Sequence, residues 1–308
     1  MSRQATESKN AFVLNPNKCL MNLFFRKYAA FLPIFLLSCL SGPGHSQTSQ
    51  MAPAEGKLAI LERWSLPTEL TEISGIARYK NKLIAIQDED GTLFVFDPAT
   101  GKVERRIPFA GPGDYEGIAV VGETAWVLRA DGRLFEVSQF WGKTPLTREY
   151  PTPLGKKNDT EGLCYDAKNN RLLIALKGKS FDKEVGKGVY AFDLNTHSFK
   201  AQPVYRLEAP ASGNTGFKKK HAKKNQELRP SEIAIHPVSG HLFILDGPAF
   251  HLYETNTDGA IIGSFPLPKT ELPQAEGLAF APDGFLYISS EGRKGNGTIL
   301  KVRLNSGN

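Results

Sequence analysis

Acidic and hydroxyl side chains open the copies of a short phrase that recurs along this chain. The phrase reads Ser-Gly-Ile-Ala, Glu-Gly-Ile-Ala, Glu-Gly-Leu-Cys, Ser-Glu-Ile-Ala and Glu-Gly-Leu-Ala, and the copies begin at Ser74, Glu116, Glu161, Ser231 and Glu276. Carboxylates that lie close together repel one another, raise one another's pKa and are costly to desolvate without a counter-charge. If the fold gathers these residues, a cation or a network of hydrogen-bond donors must accompany them.

The donor types indicate which cation would fit. Carboxylates and hydroxyls are hard oxygen ligands; calcium accepts about six to eight of them in irregular geometry, whereas magnesium demands a stricter octahedron. We therefore predict one calcium ion near the following residues: Glu116, Glu161, Glu276, Glu232, Ser74 and Ser231. Further candidates stand where second strands of the same repeats are expected to end: Asp88, Glu89, Arg129, Lys177, Asp246 and Glu291.

A structural alternative stays open at this point. Arg129 and Lys177 belong to the same repeats as Glu116 and Glu161, so salt bridges within each repeat would neutralise two of the carboxylates. Hydrogen bonds from serine and glutamate side chains to neighbouring repeats would also stabilise the ring. The acids outnumber these two bases, which favours a bound ion.

Other common site chemistries are not indicated by the sequence. Gly178-Lys179-Ser180 resembles the end of a phosphate-binding loop, but Leu173 stands where the first glycine of that loop should be. The histidines are scattered without the spacing of a metal-binding pair, and no Gly-x-Ser-x-Gly motif is present.

The spacing of the phrase predicts the elements that gather these residues. Its copies start at intervals of 42, 45, 70 and 45 residues, and a period of about 40 to 45 residues is typical of a four-stranded propeller blade. Alternating apolar runs follow each copy in the same order, for example Leu83–Gln87 and then Thr92–Asp97. The pattern predicts an all-β, five-bladed β-propeller whose first strands carry the phrase to one mouth of the channel.

The two ends of the chain predict how this ring closes. Only a short tail follows the third strand of the last repeat, Thr298–Leu304, so that blade lacks a fourth strand. Leu58–Pro67 resembles a fourth strand of another repeat, Glu104–Pro108. We expect the N-terminal strand to pair with the last blade, which would leave the ring without an open sheet edge.

The residues before this strand have the pattern of an export signal. A basic pair precedes the apolar run Tyr28–Leu37 and the small residues Ser38-Cys39. Leu-Leu-Ser-Cys at the end of this stretch resembles a bacterial lipobox, in which the cysteine is lipidated. We predict an N-terminal extension and lipoprotein signal over 1–39, a flexible tether over 40–56 and the propeller over 57–308. An ordinary secretory signal, in which Cys39 is incidental, is the alternative.

The charge of the chain does not indicate a nucleic-acid partner. Residues 1–38 carry a net +4 of the chain's formal +6, which leaves +2 for the remainder. Five lysines form one basic run between Lys218 and Lys224. We interpret this run as a solvated surface insertion, with contact to anionic lipid or polysaccharide as the alternative.

Several of these phrases resemble one known family. They are Ile73–Ile76, Asp88–Gly91, Asp114–Gly117, Asp159–Gly162, Pro230–Ile233 and Ala275–Leu278. Together they are similar to the SdiA-regulated proteins, relatives of NHL-repeat propellers, over about residues 58 to 305. The resemblance implies a five-bladed propeller with bound calcium at the acidic mouth, an envelope location and no established catalytic activity.

Two functional classes follow from this reading. In the first, the protein is exported to the cell envelope, is anchored to a membrane through a lipid on Cys39, and is a periplasmic or outer-membrane lipoprotein. Its propeller would then be a non-catalytic, calcium-binding module that presents the channel mouth to a protein, glycan or small molecule. In the second, channel-mouth calcium would support phosphoester or lactone hydrolysis. Fold analogy alone does not choose between the two.

Overall fold

The structure, a computed structural model, describes residues 53–208 and 227–306 of the chain, and these residues form a β-propeller. First come β1 (Ala54–Glu55), β2 (Lys57–Ser65) and a 3-10 helix at Thr68–Leu70. Blade 1 contains β3 (Ile73–Tyr79), β4 (Lys82–Gln87), β5 (Thr92–Asp97) and β6 (Lys102–Pro108). Blade 2 contains β7 (Tyr115–Val121), β8 (Thr124–Arg129), β9 (Leu134–Ser138) and β10 (Leu146–Tyr150).

Three further blades complete the ring. Blade 3 contains β11 (Thr160–Asp166), β12 (Arg171–Leu176), β13 (Gly188–Asp193) and β14 (Ser198–Arg206). Blade 4 contains β15 (Glu232–Ile235), β16 (Leu242–Asp246), β17 (His251–Thr255) and β18 (Ile261–Pro266). Blade 5 contains β19 (Ala275–Phe280), β20 (Leu286–Ser290) and β21 (Thr298–Asn305), together with β2. The predicted all-β, five-bladed architecture is confirmed.

The hydrophobic core lies between the blades. One cluster joins Ile84 and Val95 of blade 1 to Ile118 and Val127 of blade 2, and all four side chains are buried. Similar clusters lie at the other blade-to-blade contacts, including the one between blades 5 and 1. Because the inner strands are covered on both faces, their sequences are almost continuously apolar, whereas the outer strand β6 alternates buried or half-buried with exposed residues.

Ring closure occurs as the sequence predicts. β2 runs antiparallel to β21, with Lys57 opposite Asn305 and Ser65 opposite Thr298. The predicted strand Leu58–Pro67 thus supplies the fourth strand of the last blade. First strands β19 and β3 are in contact, so blade 5 also packs against blade 1.

The N-terminal segment joins two blades rather than one. β1 pairs in parallel with β18, and Ala54 and Glu55 lie beside Gly263 and Ser264 of blade 4. Residues 54–56, which the sequence analysis assigned to the tether, therefore belong to the sheet. The segment joins blade 4 to blade 5 before the chain enters blade 1.

The glycines of the repeated phrase permit the close approach of neighbouring first strands. A Cβ on Gly75 would lie 2.8 Å from the carbonyl oxygen of Glu116, and one on Gly117 would lie 2.5 Å from that of Glu161. Real Cβ atoms do not approach so closely, so the residue after the acidic or hydroxyl position must be small in these blades. The recurring glycine is thereby explained by packing.

Some sequence predictions concern parts of the chain outside the described residues. These are the export signal over 1–39, Cys39 and the lysine run Lys218–Lys224. Among residues 53–208 and 227–306, no helix has the length and apolar character needed to cross a membrane.

Candidate cation site at the channel mouth

A β-bulge marks the start of the first strand in four blades. In blade 2, Tyr115 lies opposite Arg129 and Gly117 lies opposite Leu128, so Glu116 is the extra residue. The corresponding irregularities in the other blades include Ser74, Glu161 and Glu276. Bulges re-aim the side chains they contain and are frequent at the rims of closed sheets. The repeated phrase is thus a bulge that turns an acidic or hydroxyl side chain away from the regular strand pattern.

The bulged glutamates converge on the central channel. We call the residues that open the five copies of the phrase, namely Ser74, Glu116, Glu161, Ser231 and Glu276, the inner ring. Glu161 interacts electrostatically with Glu116 of blade 2 and with Glu276 of blade 5. Since blades 3 and 5 are not neighbours, this interaction requires that both carboxylates face the channel. Glu161 and Glu276 are only 4% and 8% exposed, so their charges are poorly hydrated.

A second tier of side chains borders this ring from the ends of the second strands. In blade 3, Thr160 pairs with Leu176, and Lys177 comes one residue after that pair. The equivalent positions in blade order, which we call the outer tier, are Asp88, Ala130, Lys177, Gly247 and Glu291. Lys177 and Glu291 both interact with Glu276 of the inner ring. The outer tier therefore mixes one ammonium with two carboxylates.

Lys177 supplies the ammonium that faces the inner ring. Its Nζ lies 2.7 Å from the carboxylate of Glu161, and the two side chains are 17% and 5% exposed. Burial alone would lower the pKa of Lys177, but the carboxylates of Glu276 and Glu161 outweigh that effect and raise it. The salt bridge that the sequence suggested for blade 3 is thus present.

Arg129 does not form the corresponding bridge in blade 2. Its Nε and Nη2 donate to the two carboxylate oxygens of Asp131 at 3.0 and 2.8 Å, and its guanidinium lies over the ring of Phe135. Arg129 is the register partner of Tyr115, so it stands one residue earlier than the outer-tier position. Burial, followed by the carboxylates of Glu161 and Asp114, raises the pKa of Glu116 to about 10.

Glu161 is subject to two opposing effects. Burial raises its pKa to about 8, although the Lys177 ammonium opposes the rise. The raised pKa of Lys177, in contrast, requires an ionised carboxylate beside it. We assign that charge to Glu161, because an ammonium at 2.7 Å donates much more strongly to an anion than to a neutral acid. Lys177 also acts to lower the pKa of Glu116, but burial and the neighbouring carboxylates outweigh it, so Glu116 remains protonated near neutral pH.

Two predicted ligands already join neighbouring blades. The Ser74 hydroxyl donates to the carbonyl oxygen of Tyr115 at 2.7 Å. Glu232 stands at the glycine position of its phrase, is fully buried, and accepts from the backbone amides of Leu163 and Ile233 at 2.6 and 2.9 Å through Oε1. Burial raises its pKa well above the usual range. These bonds match the structural alternative that the sequence left open.

Several buried oxygens at the mouth accept no hydrogen bond from the described residues. They are Oε2 of Glu276, Oε2 of Glu232 and Oγ of Ser231. An oxygen that is buried without a donor costs about 1–3 kcal/mol, more when it is charged. The mouth therefore contains buried oxygens for which the described residues supply no donor.

The predicted second-strand residues divide into two groups. Burial, aided by Glu72 and Glu89, raises the pKa of Asp88 to about 6. Burial, aided by Glu276 and Asp88, raises that of Glu291 to about 7. Burial also raises the pKa of Asp246, but its side chain accepts from the backbone amides of Arg229 and Ala249 and so ties its own turn to the segment before β15. Glu89 is exposed, and its amide donates to the Gln87 side chain.

Lys187 is a site residue that the sequence reading missed. It is buried, and its Nζ donates to the carbonyl oxygens of Lys177 and Leu228 at 2.7 and 2.8 Å. Burial lowers its pKa. Lys187 thus holds the backbone of Lys177, although nothing in its sequence context distinguishes it from neighbouring loop lysines.

The residues present fit calcium in chemistry but not yet in arrangement. The donors are carboxylate and hydroxyl oxygens, and some lack partners. Within the described residues, however, no group of three or more His, Cys, Asp or Glu side chains is positioned to hold a metal ion as it stands. The Lys177 ammonium instead contacts Glu161 and interacts electrostatically with Glu276 and Glu116. An ion at this place would require the ammonium to withdraw and the carboxylates to rearrange around it.

Fold and mouth together define the class of protein: a closed five-bladed propeller with a buried acidic ring at one end of its channel. Comparison with family models narrows this class. The model for the family described as SdiA-regulated matches residues 59–293. The chain therefore belongs to the SdiA-regulated family, as its phrases indicate.

Solved structures with similar folds include enzymes of unrelated chemistry. The glutaminyl cyclase of Myxococcus xanthus is 15% identical, with a TM-score of 0.61, and the match covers 83% of this chain and 100% of that one. The PQQ-bound aldose sugar dehydrogenase of Streptomyces coelicolor is 15% identical, with a TM-score of 0.54 and coverage of 83% and 100%. At this identity the similarity shows the propeller fold alone.

Proposed function

We propose that this protein is a calcium-binding, non-catalytic interaction module of the cell envelope. The observation that carries the proposal is the shortage of positive charge and hydrogen-bond donors for the buried carboxyl groups at the channel mouth. Glu116, Glu161 and Glu276 interact with one ammonium, and among the described residues no donor reaches Oε2 of the buried Glu276. A divalent cation would oppose the burial and the neighbouring carboxylates that together raise the pKa of Glu116, and its ligands would come from the inner ring. A protein, glycan or small molecule would then contact the rim of this mouth, and no nucleic acid is involved.

Thermal unfolding with and without metal tests the calcium site. Ligand binding to the native state stabilises it by about 2.7 kcal/mol when free calcium is about 100 times its dissociation constant. Chelation should therefore lower the melting temperature of the full chain, and calcium should restore it better than magnesium does. Glu161→Gln should remove most of this response, whereas Glu89→Gln, at an exposed turn, should keep it. Identical melting in chelator and in calcium, with no metal found by elemental analysis, would reject the site.

The envelope part of the proposal depends on Cys39. A lipid on this residue would hold the protein at a membrane, with residues 40–53 as the connection to the propeller. Cys39→Ser should release the protein into the soluble fraction or leave it unprocessed. Membrane fractionation that does not change in this variant would contradict lipid anchoring and favour another mode of export or retention.

A second candidate function is calcium-dependent hydrolysis, which Asp88 favours. Its pKa of about 6 is close to the value that suits a general base at neutral pH, and its Oδ1 has no donor among the described residues. Phosphodiester and lactone probes, assayed with calcium, would show turnover that Asp88→Asn abolishes and Asp90→Asn preserves. Absence of turnover with both probe classes would leave the binding module as the better account.

A further inference from the structure

The Lys177 ammonium interacts with the same inner-ring carboxyl groups that a cation at the channel mouth would contact. Its ammonium lies 2.7 Å from the Glu161 carboxylate and also interacts with Glu276 and Glu116. These carboxylates come from blades 2, 3 and 5, so the ammonium sits among side chains from different parts of the ring. No other outer-tier position carries a cation.

The backbone of Lys177 is held in place on both sides. Its amide donates to the carbonyl oxygen of Asp159 at 2.9 Å, and its own carbonyl accepts from the buried Lys187 ammonium at 2.7 Å. Gly178, which follows it, donates to the carbonyl oxygen of Asn158 at 3.0 Å. The side chain therefore starts from a defined point at the mouth, and any movement of its ammonium must come from rotation within its four-carbon stem.

The surrounding oxygens show that the ammonium does not complete the site. Within the described part of the chain, Oε2 of Glu276 is buried without a donor, and the residue is 8% exposed. A lysine has three donors and a single charge, so it carries less positive charge than a divalent ion and leaves this oxygen without a donor. The site is therefore partly neutralised by the chain itself and still has oxygens for a stronger cation.

We propose that Lys177 is an intramolecular competitor for the cation site. Its ammonium neutralises the inner ring when no ion is bound, and it must leave Glu161 before a divalent cation can be bound there. This inference rests on the proposed calcium function and adds a determinant of affinity to it. Lys177 weakens calcium binding, so that the protein responds to high rather than trace calcium.

Calorimetric titration of calcium into chelator-stripped full chain, purified in mild detergent, tests this competition. Lys177→Met should bind calcium at least about tenfold more tightly than the wild type, because the ion no longer displaces a charge. Lys177→Arg, which keeps the charge, should remain near the wild-type affinity. Lys179→Met is the matched control, since this exposed lysine lies two residues away, and it should change nothing.

The outcomes distinguish failure of this inference from failure of the proposed function. Tighter binding by Lys177→Met supports the competition, and so does binding by that variant alone. Equal affinity in both proteins overturns the competition and leaves the calcium site intact. Weaker binding by the variant shows that Lys177 helps to position the ligands, which also overturns it. No binding by either protein rejects the calcium site and the competition together.

Loss of folding in the variant does not prevent the test. If Lys177→Met is unfolded without metal, near-ultraviolet circular dichroism during calcium addition reports the result. Refolding by calcium at concentrations that barely shift wild-type melting supports the competition. A variant that stays unfolded in calcium, although magnesium and calcium both leave the wild type folded, overturns it, because the ion then fails to replace the ammonium.

Discussion

Blades 2 and 3 carry the same kinds of residue and use them differently. Each has a glutamate at the bulge of its first strand and a base at the end of its second strand. In blade 3 the base reaches the glutamate, but in blade 2 it turns to Asp131. The difference is one residue of register. Arg129 pairs with Tyr115, whereas Lys177 follows the pair between Thr160 and Leu176.

Strand geometry explains why one residue is decisive. Successive side chains of a strand point to opposite faces, so a base at the pairing position and a base one residue later diverge. The Arg129 guanidinium lies over the ring of Phe135, and the Asp131 carboxylate accepts a hydrogen bond from it. Lys177 is turned toward the channel. A bulge on one strand and an offset on the other must therefore both be right before a salt bridge forms at the mouth.

The largest expected effect comes from removing the base that is in register. Lys177→Met leaves Glu161 buried without its partner, and breaking a buried pair from one side costs about 3 kcal/mol. Denaturant unfolding in chelator should show this loss, and the double variant Lys177→Met with Glu161→Gln should recover a large part of it. Arg129→Met, whose bridge is half-exposed, should cost about 1 kcal/mol or less. Equal losses for the two single variants would contradict the comparison.

The two blades also show which features of the fold and of the site could be predicted from the sequence. The blade count, the closing strand Leu58–Pro67 and the position of the phrase all follow from periodicity and apolar pattern, and the structure confirms the blades and the closure. The salt-bridge partner of Arg129 could not be predicted in the same way, because a β-bulge shifts the register by one residue and has no unique sequence signature. The phrase does contain a hint: glycine follows Ser74, Glu116, Glu161 and Glu276, the residues included in bulges.

Blade 4 shows another limit of pattern reading. Its phrase has Glu232 where the other copies have glycine, so the carboxylate was predicted as a ring residue that was out of step. In the structure, Glu232 pairs regularly with Leu245. Its side chain lies between the first strands of blades 3 and 4 and accepts hydrogen bonds from two backbone amides. Satisfying buried amides is a requirement of three-dimensional packing, and the sequence alone does not reveal which amides lack partners.

A second, smaller effect should appear in the pH dependence of stability. The unfolded chain releases the proton of Glu116 near the ordinary glutamate value, whereas the folded protein keeps it up to about pH 10. Because the folded state binds more protons in this interval, this group lowers stability as pH rises through it. Glu116→Gln in chelator should therefore be more stable than the wild type by about 1–3 kcal/mol near pH 8 and nearly equal near pH 4.

The contrary result for Glu116 is equally clear. If Glu116→Gln is destabilising at both pH values, the carboxyl group makes a stabilising contact in the folded protein that an amide does not reproduce, and its raised pKa does not control stability in this range. Glu123→Gln, at the exposed turn between β7 and β8, is the matched control and should show no pH-dependent difference from the wild type.

The smallest expected effect comes from moving a base into register in blade 2. Ala130 occupies the position equivalent to Lys177, and its backbone amide and carbonyl are already bonded to Asp114 and Thr160. A lysine there would start from a held backbone and could extend toward Glu116, as Lys177 does toward Glu161. Burying this lysine destabilises the folded state, and its attraction to Glu116 offsets part of that loss. We therefore expect the free energy of unfolding to change by about 1 kcal/mol or less near pH 8.

The informative measurement on Ala130→Lys is the slope of stability against pH rather than its value at one pH. An ammonium beside Glu116 should lower the pKa of that carboxyl and flatten the fall in stability between about pH 5 and pH 9, because the folded and unfolded states would then bind similar numbers of protons. Arg129→Lys keeps a base at the wrong register and should leave the slope unchanged. If both variants flatten the slope equally, the side chain at residue 129 can reach the channel after all, and register does not separate the two blades.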